Sequence, residues 1–94
     1  MTLTSKRRAE LRSAAHHLQA AVHVGHQGIT PTLQQSLDDV LRTTELVKVQ
    51  FSKNADVKTK DAANDLARAV SADVVQVIGR TATLYRENPE LRER

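Results

Sequence analysis

The sequence predicts one α/β domain in the order α-β-α-β-α-β-β, with three helices and a four-stranded mixed sheet. Three observations carry this expectation: three stretches with apolar residues at helical spacing, short β-branched or alternating runs between them, and a glycine break within a final pair of strand-like runs. Ninety-four residues suffice for a single hydrophobic core but not for a second independent unit. Hydrophobic residues at 39% and charged residues at 27% are close to globular averages, which argues against wholesale disorder.

Helix one is expected from Thr4 to His17, with Leu11, Ala14, Ala15 and Leu18 on one face and Thr4 or Ser5 as its cap. Arg8, Arg12 and His16 fall at successive i+4 steps, a line running beside that apolar face. Ala20 to Val24 reads as the first strand, stopped by Gly25. Helix two then runs from Pro31 to about Thr43, capped by Thr30. It buries Leu33, Leu37, Val40 and Leu41, with Gln34, Asp38, Asp39 and Arg42 off that face.

Leu46 to Phe51 alternates as a half-buried strand with Val47, Val49 and Phe51 on one side, and Lys53-Asn54-Ala55-Asp56 follows as a polar turn. Helix three, roughly Lys58 to Ser71, carries the stripe Ala62, Ala63, Leu66, Ala67 and Val70. Val74 to Ile78 is apolar almost throughout, as suits a strand covered on both faces or central in a sheet. Gly79-Arg80 breaks that run, and Thr81 to Arg86 forms a fourth strand and a terminal hairpin. Crossover helices make the first three strands parallel, with the fourth antiparallel to its neighbour. Residues 1–86 form the domain and 87–94 a polar tail, expected to be flexible.

Net charge is +3, with a sequence pI of about 9.7. Residues 1–37 hold Lys6, Arg7, Arg8 and Arg12 against Glu10 alone, whereas residues 38–94 hold ten basic and ten acidic residues. The excess positive charge is thus local, which favours a polyanion-binding face over a generally basic surface. There is no cysteine, hence no disulfide framework and no thiolate metal site. No apolar run approaches the roughly twenty residues of a membrane helix and no signal-peptide core is present, so a cytoplasmic protein without membrane partners is expected.

Catalysis would need a nucleophile with its base, a carboxylate pair in a cleft, or a metal cluster. His16 and His17 cannot face the same way on a helix, and His23 and His26 belong to a strand and its end, so core-edge or exposed histidines are the simpler reading. Asp38 and Asp39 are adjacent on a helix, point in two directions and read as a solvated face. No enzyme activity, cofactor, metal or small-molecule substrate is therefore expected, and a monomer is favoured.

Gly25-His26-Gln27-Gly28 lies between the first strand and the Thr30-Pro31 helix start. Unpaired amides at such a start can hold a phosphate, and paired glycines allow another backbone to approach closely. This segment is neither a P-loop nor a dinucleotide fingerprint, and a GxxG by itself also serves as a plain turn. Its place beside the basic line of helix one favours RNA, by analogy with the GXXG clamp of KH domains. The candidate RNA-binding set is Gly25, His26, Gln27, Gly28 and Thr30, with Lys6, Arg8, Arg12 and His16, extended by Lys53 and Arg80. The alternative is a protein-interaction module whose basic helix meets an acidic partner. Phe51 and Tyr85 are the only Phe, Tyr or Trp residues and read as core, so RNA would be held mainly by phosphates, sugars and shape, with little base stacking. Arg92 and Arg94 alternate with acids and read as solvated.

Leu11 to Leu18, Val22 to Thr30, Glu45 to Val49, Val75 to Arg80 and Leu84-Tyr85-Arg86 together resemble the YhbY-type CRM domain, the chloroplast RNA splicing and ribosome maturation module, over about Leu3 to Arg86. The resemblance implies a fold related to the C-terminal domain of bacterial translation initiation factor three. It also implies association with precursor large ribosomal subunits and their RNA, with Gly25 to Gly28 as the RNA-contacting loop and helix one as a basic surface. Family loops commonly carry Lys where this chain has His26, a residue type that titrates near neutral pH, so loop affinity is expected to be weaker or pH dependent. A proline common before the first strand is replaced near Ala20-Ala21, and the glycine expected after helix three is Ser71.

Overall fold

The computed structural model describes residues 3–55 and 58–88. Thr4 caps α1 (Ser5–Ala15), its hydroxyl accepting from the Arg7 amide at 3.0 Å. Thr30 does the same for α2 (Pro31–Thr43) through the Leu33 amide at 3.1 Å, with Pro31 in the first turn. Between these helices lies β1 (Ala20–Val24), and β2 (Leu46–Phe51) follows α2. α3 (Thr59–Ala69), β3 (Asp73–Ile78) and β4 (Thr81–Tyr85) complete the order anticipated from the sequence. Asp56 of the expected turn, and Arg92 and Arg94 of the tail, lie outside the described residues.

The sheet order is β1-β2-β4-β3. β1 runs parallel to β2, while β4 is antiparallel to both β2 and β3, so β1, β2 and β3 share one direction. The last strand is the one inserted centrally, and Ala82, Thr83, Leu84 and Tyr85 are all buried. Of the two places its apolar run allowed, covered on both faces or central, β3 takes the first, as an edge strand. Its hydrophobicity is used on both faces, Val75 against Leu11 of α1 and Val74 and Val77 against the core on the other side. A bulge between Val74 and Gln76 interrupts this edge. Arg8 covers it, its guanidinium donating to the carbonyls of Val74 and Val75.

α2 and α3 cover one face of the sheet. Leu37 and Leu41 pack with Ala62, Ala63, Leu66 and Ala67 over Val22, Val24, Val47, Val49, Phe51, Ala82 and Leu84. α1 lies on the other face, where Leu11 meets Val75 and Tyr85. Ala14, placed on the buried face by spacing, is exposed, because α1 reaches the sheet mainly through Leu11 and Ala15. Asp38 is likewise no simply solvated acid. Arg86 Nη1 donates to Asp38 Oδ1 at 2.6 Å and to the Val70 carbonyl at 2.9 Å, and Arg42 Nη2 lies 3.1 Å from Asp38 Oδ2. The chain stays against the body through Asn88, whose backbone amide donates to Glu45 Oε2 at 2.7 Å and whose side chain donates to the Arg42 carbonyl at 2.8 Å.

α3 ends in a Schellman turn: the Ala72 amide donates to Ala67 O at 2.8 Å and the Ser71 amide to Arg68 O at 3.4 Å. Ser71 sits at φ 58°, in the left-handed region that favours glycine. Ser71→Gly should therefore raise stability by about 1 kcal/mol, read as a higher urea midpoint at unchanged m-value. Bonding to Arg86 holds the Asp38 carboxyl below its ordinary pKa of 3.8. A carboxyl lowered in the folded state adds stability above its unfolded pKa and loses it as pH falls through the folded value. Asp38→Asn should therefore be less stable than the parent at neutral pH, with the gap narrowing as pH drops below 3.8 in pH-dependent urea titrations.

Candidate nucleic-acid interface

The register places Val24, Phe51, Ile78 and Thr81 at one end of the sheet and Leu46, Asp73 and Tyr85 at the other. At the first end lie the GxxG loop, the turn after β2 and the β3–β4 hairpin. They are laced together, since the Ser52 amide donates to Val24 O at 2.8 Å and the Phe51 amide to Arg80 O at 2.7 Å. The hairpin loop puts Gly79 at φ 57° with Arg80 outside the left-handed region, the pattern of a type II′ turn. Carboxyl ends of parallel strands are where open α/β sheets commonly bind ligands.

Gly25 and Gly28 close a turn through a 3.0 Å bond from the Gly28 amide to the Gly25 carbonyl. The two glycines differ physically. Gly28 has φ 71°, so its backbone requires glycine or a strained substitute, whereas Gly25 lies outside the left-handed region. Apart from its two chain neighbours, a Cβ on Gly25 would meet no atom of the described residues within 4 Å. The absence of a side chain there leaves an open approach from outside. Not every loop amide remains available: Gly28 donates within the turn and Leu33 donates to its cap. Among the described residues, the amides of His26, Gln27 and Thr32 make no such bond.

These groups open onto two hollows. One, of about 360 Å³, lies between the loop and α2 and is lined by Gly25, His26, Gln27, Gly28, Thr30 and Thr32 among others. A second, of about 450 Å³, is bounded by His23, Gly25, Gln50, Lys53 and Arg80. Among the described residues, neither is lined by an aspartate or glutamate. Arg80 is exposed and anchored over the second hollow by a 3.3 Å bond from Nη1 to the Ser52 carbonyl. Lys53 is exposed beside it.

Helix α1 does not join this cluster as the sequence suggested. Its N-terminal turn lies at the far end of the sheet, where Arg7 donates to the Tyr85 hydroxyl at 3.3 Å and Arg8 is held by β3. Lys6 belongs to that same turn, about 15 Å along the helix axis from His16. Arg8 is thus a packing residue on an edge strand rather than a free cation in a line. Arg12 is exposed midway, and His16 reaches the sheet surface beside Lys48, Ile78 and Thr81. The structure gathers Gly25 to Gly28, Thr30, Lys53 and Arg80 and leaves Lys6 and Arg8 outside. Sequence reading weighed His23 only as a metal ligand and passed over Gln50. Their alternation with buried Val22, Val24, Val49 and Phe51 puts them on the second sheet face, but nothing local indicates that α1 leaves it open. Among the described residues no three metal-capable side chains converge, and no helix is long and apolar enough to cross a membrane.

A family model for the CRS1 / YhbY (CRM) domain matches residues 3–86. The Bacillus subtilis protein named Probable RNA-binding protein YqeI is 35% identical over 88 residues, covering 94% of this chain and 92% of that protein. A Haemophilus influenzae protein named RNA-binding protein is 36% identical over 90 residues, covering 95% and 90%. The solution structure of SAV1595 from Staphylococcus aureus superposes with a TM-score of 0.80 at 36% identity, covering 93% of this chain and 91% of that one.

Gly25→Ala should leave the thermal midpoint unchanged or slightly raised, because neither backbone nor neighbours oppose a methyl group. Gly28→Ala should cost about 1 kcal/mol from its left-handed backbone. Equal losses in thermal melts of the two variants would contradict this division.

Proposed function

As the chain belongs to the CRS1/YhbY (CRM) domain family, we propose that it is a non-enzymatic RNA-binding protein that docks on large-subunit ribosomal RNA, or its precursor particle, during ribosome assembly in the cytoplasm. The observation that carries this reading is the unobstructed glycine turn with spare amides, facing hollows with no carboxylate among the described residues that line them. A phosphate meets backbone donors at His26 and Gln27 and, from the start of α2, Thr32, where the helix dipole adds positive potential. Arg80 and Lys53 supply the adjoining charge. Phe51 and Tyr85 are buried at 2% and 5% exposure, so neither offers its ring for base stacking. The names of the B. subtilis and H. influenzae relatives, which call the first a probable RNA-binding protein and the second an RNA-binding protein, support the partner class.

The second reading, docking of an acidic protein on α1, draws on exposed Lys6 and Arg12, which stand apart from the glycine turn. Gly25→Asp distinguishes the two. It adds a carboxylate where phosphate would sit, at a position where the fold tolerates a side chain. Binding to a large-subunit ribosomal RNA transcript should fall at least tenfold with the melting temperature retained, whereas association through α1 would survive. Arg80→Ala should lower the slope of log affinity against log salt by about 0.7 to 0.9. An unchanged slope would remove Arg80 from the interface, and unchanged affinity of Gly25→Asp would reject the loop.

A further inference from the structure

The half of the second sheet face that α1 leaves bare carries a third hollow, of about 210 Å³, beside the two at the loop. Its walls come from His16 at the end of α1, Lys48 of β2, Gln76 and Ile78 of β3, and Thr81 of β4. Gln50 of β2, paired with Thr81, lines the neighbouring hollow with His23 and Gly25. A polar trough therefore crosses the sheet from the glycine turn to the end of α1. At about 4.8 Å between strands, its four strands span roughly 14 Å.

Its composition differs from the rest of the surface. None of the described residues lining the three hollows is acidic, while Lys48, Lys53 and Arg80 lie along them. The described carboxylates are placed elsewhere. Asp38 is paired with Arg86 and Arg42, Asp61 and Asp65 flank a separate hollow on α3, Glu10 pairs with Arg7, and Asp73 stands at the far end of β3. Ile78, 63% exposed, is the large hydrophobic side chain left on this surface. Gln50 and Gln76 each offer a donor and an acceptor, the complement of base edges. Those edges are free in single strands and engaged in duplexes.

We propose that this trough is a base-reading track for single-stranded RNA, in which a segment whose phosphate is seated at the glycine turn lays its next nucleotides across β2, β4 and β3 toward His16. This rests on the RNA-binding reading and adds to it a strand class and a specificity surface. Lys48 follows the backbone, Gln50 and Gln76 bond to base edges, and Ile78 makes apolar contact with a base face.

The test uses fluorescence anisotropy with ten-nucleotide oligouridine and oligoadenylate and with a ten-base-pair RNA duplex. The intact protein should bind at least one oligonucleotide more tightly than the duplex and distinguish the two single strands. Lys48→Ala should lower the salt slope on single strands by about 0.7. Gln50→Ala combined with Gln76→Ala should weaken the preferred single strand about tenfold and erase the discrimination, leaving the salt slope intact because neutral amides displace no counterions. Gln50 is exposed, so Gln50→Ala alone serves if the pair disturbs folding, with a smaller loss in the same direction. Preference for the duplex, or full affinity and discrimination in the glutamine variants while Gly25→Asp abolishes binding, would overturn the track and leave the loop reading standing. Failure of the intact protein to bind any of the three would overturn both. So would tight binding of an acidic protein at this face with no RNA affinity.

Discussion

Tyr85 and Arg86, consecutive residues at the end of the central strand, hold the three helices to the sheet. Tyr85 turns toward α1, packing on Leu11 while its ring and hydroxyl receive Arg7, whose guanidinium carbon lies 5.3 Å from the ring centroid. Arg86 binds Asp38 of α2 and the Val70 carbonyl that ends α3. Because alternate residues of a strand face opposite sides, two neighbours can staple both layers at once. The fastening is concentrated at one end of the molecule. The opposite end, with the glycine turn and hairpin, is left for surfaces that the fold itself does not need.

That asymmetry explains the distribution of charge. Four arginines at the stapled end are engaged by packing: Arg7 by Tyr85, Arg8 by edge carbonyls, Arg42 and Arg86 by Asp38. Arg80 and Lys53, at the open end, have no carboxylate among the described residues of the hollow they line. A net charge of +3 says little about this; what matters is which cations have been paired off within the fold. Eleven residues of α1 extend only about 16 Å, and the helix meets the sheet chiefly through Leu11 and Ala15, so part of that face remains polar and accessible.

Much of this was legible in the sequence because local signals agreed with the tertiary outcome. Thr30-Pro31, the alternation from Leu46 to Phe51, and the alanine stripe of α3 each specified an element and its buried side. The apolar run of β3 left its place open between a strand covered on both faces and a central one, and the first proved right, since an edge strand covered by helices on both faces is as apolar as a central one. The i+4 line of Arg8, Arg12 and His16 was correctly spaced, yet its members reach different environments because a helix lying along a sheet spreads one stripe over its length. The glycine turn was visible, but the division of labour within it was not. Only backbone geometry shows that Gly28 serves the chain's own conformation while Gly25 does not.

The most direct test follows individual backbone amides by ¹H–¹⁵N NMR during titration with short single-stranded RNA. If main-chain donors at the open end hold phosphate, the His26 and Gln27 amides shift strongly and saturably, while the Gly28 amide, already bonded to Gly25, moves less. Saturable RNA binding that leaves His26 and Gln27 unmoved and perturbs only the outer face of α1 would contradict it.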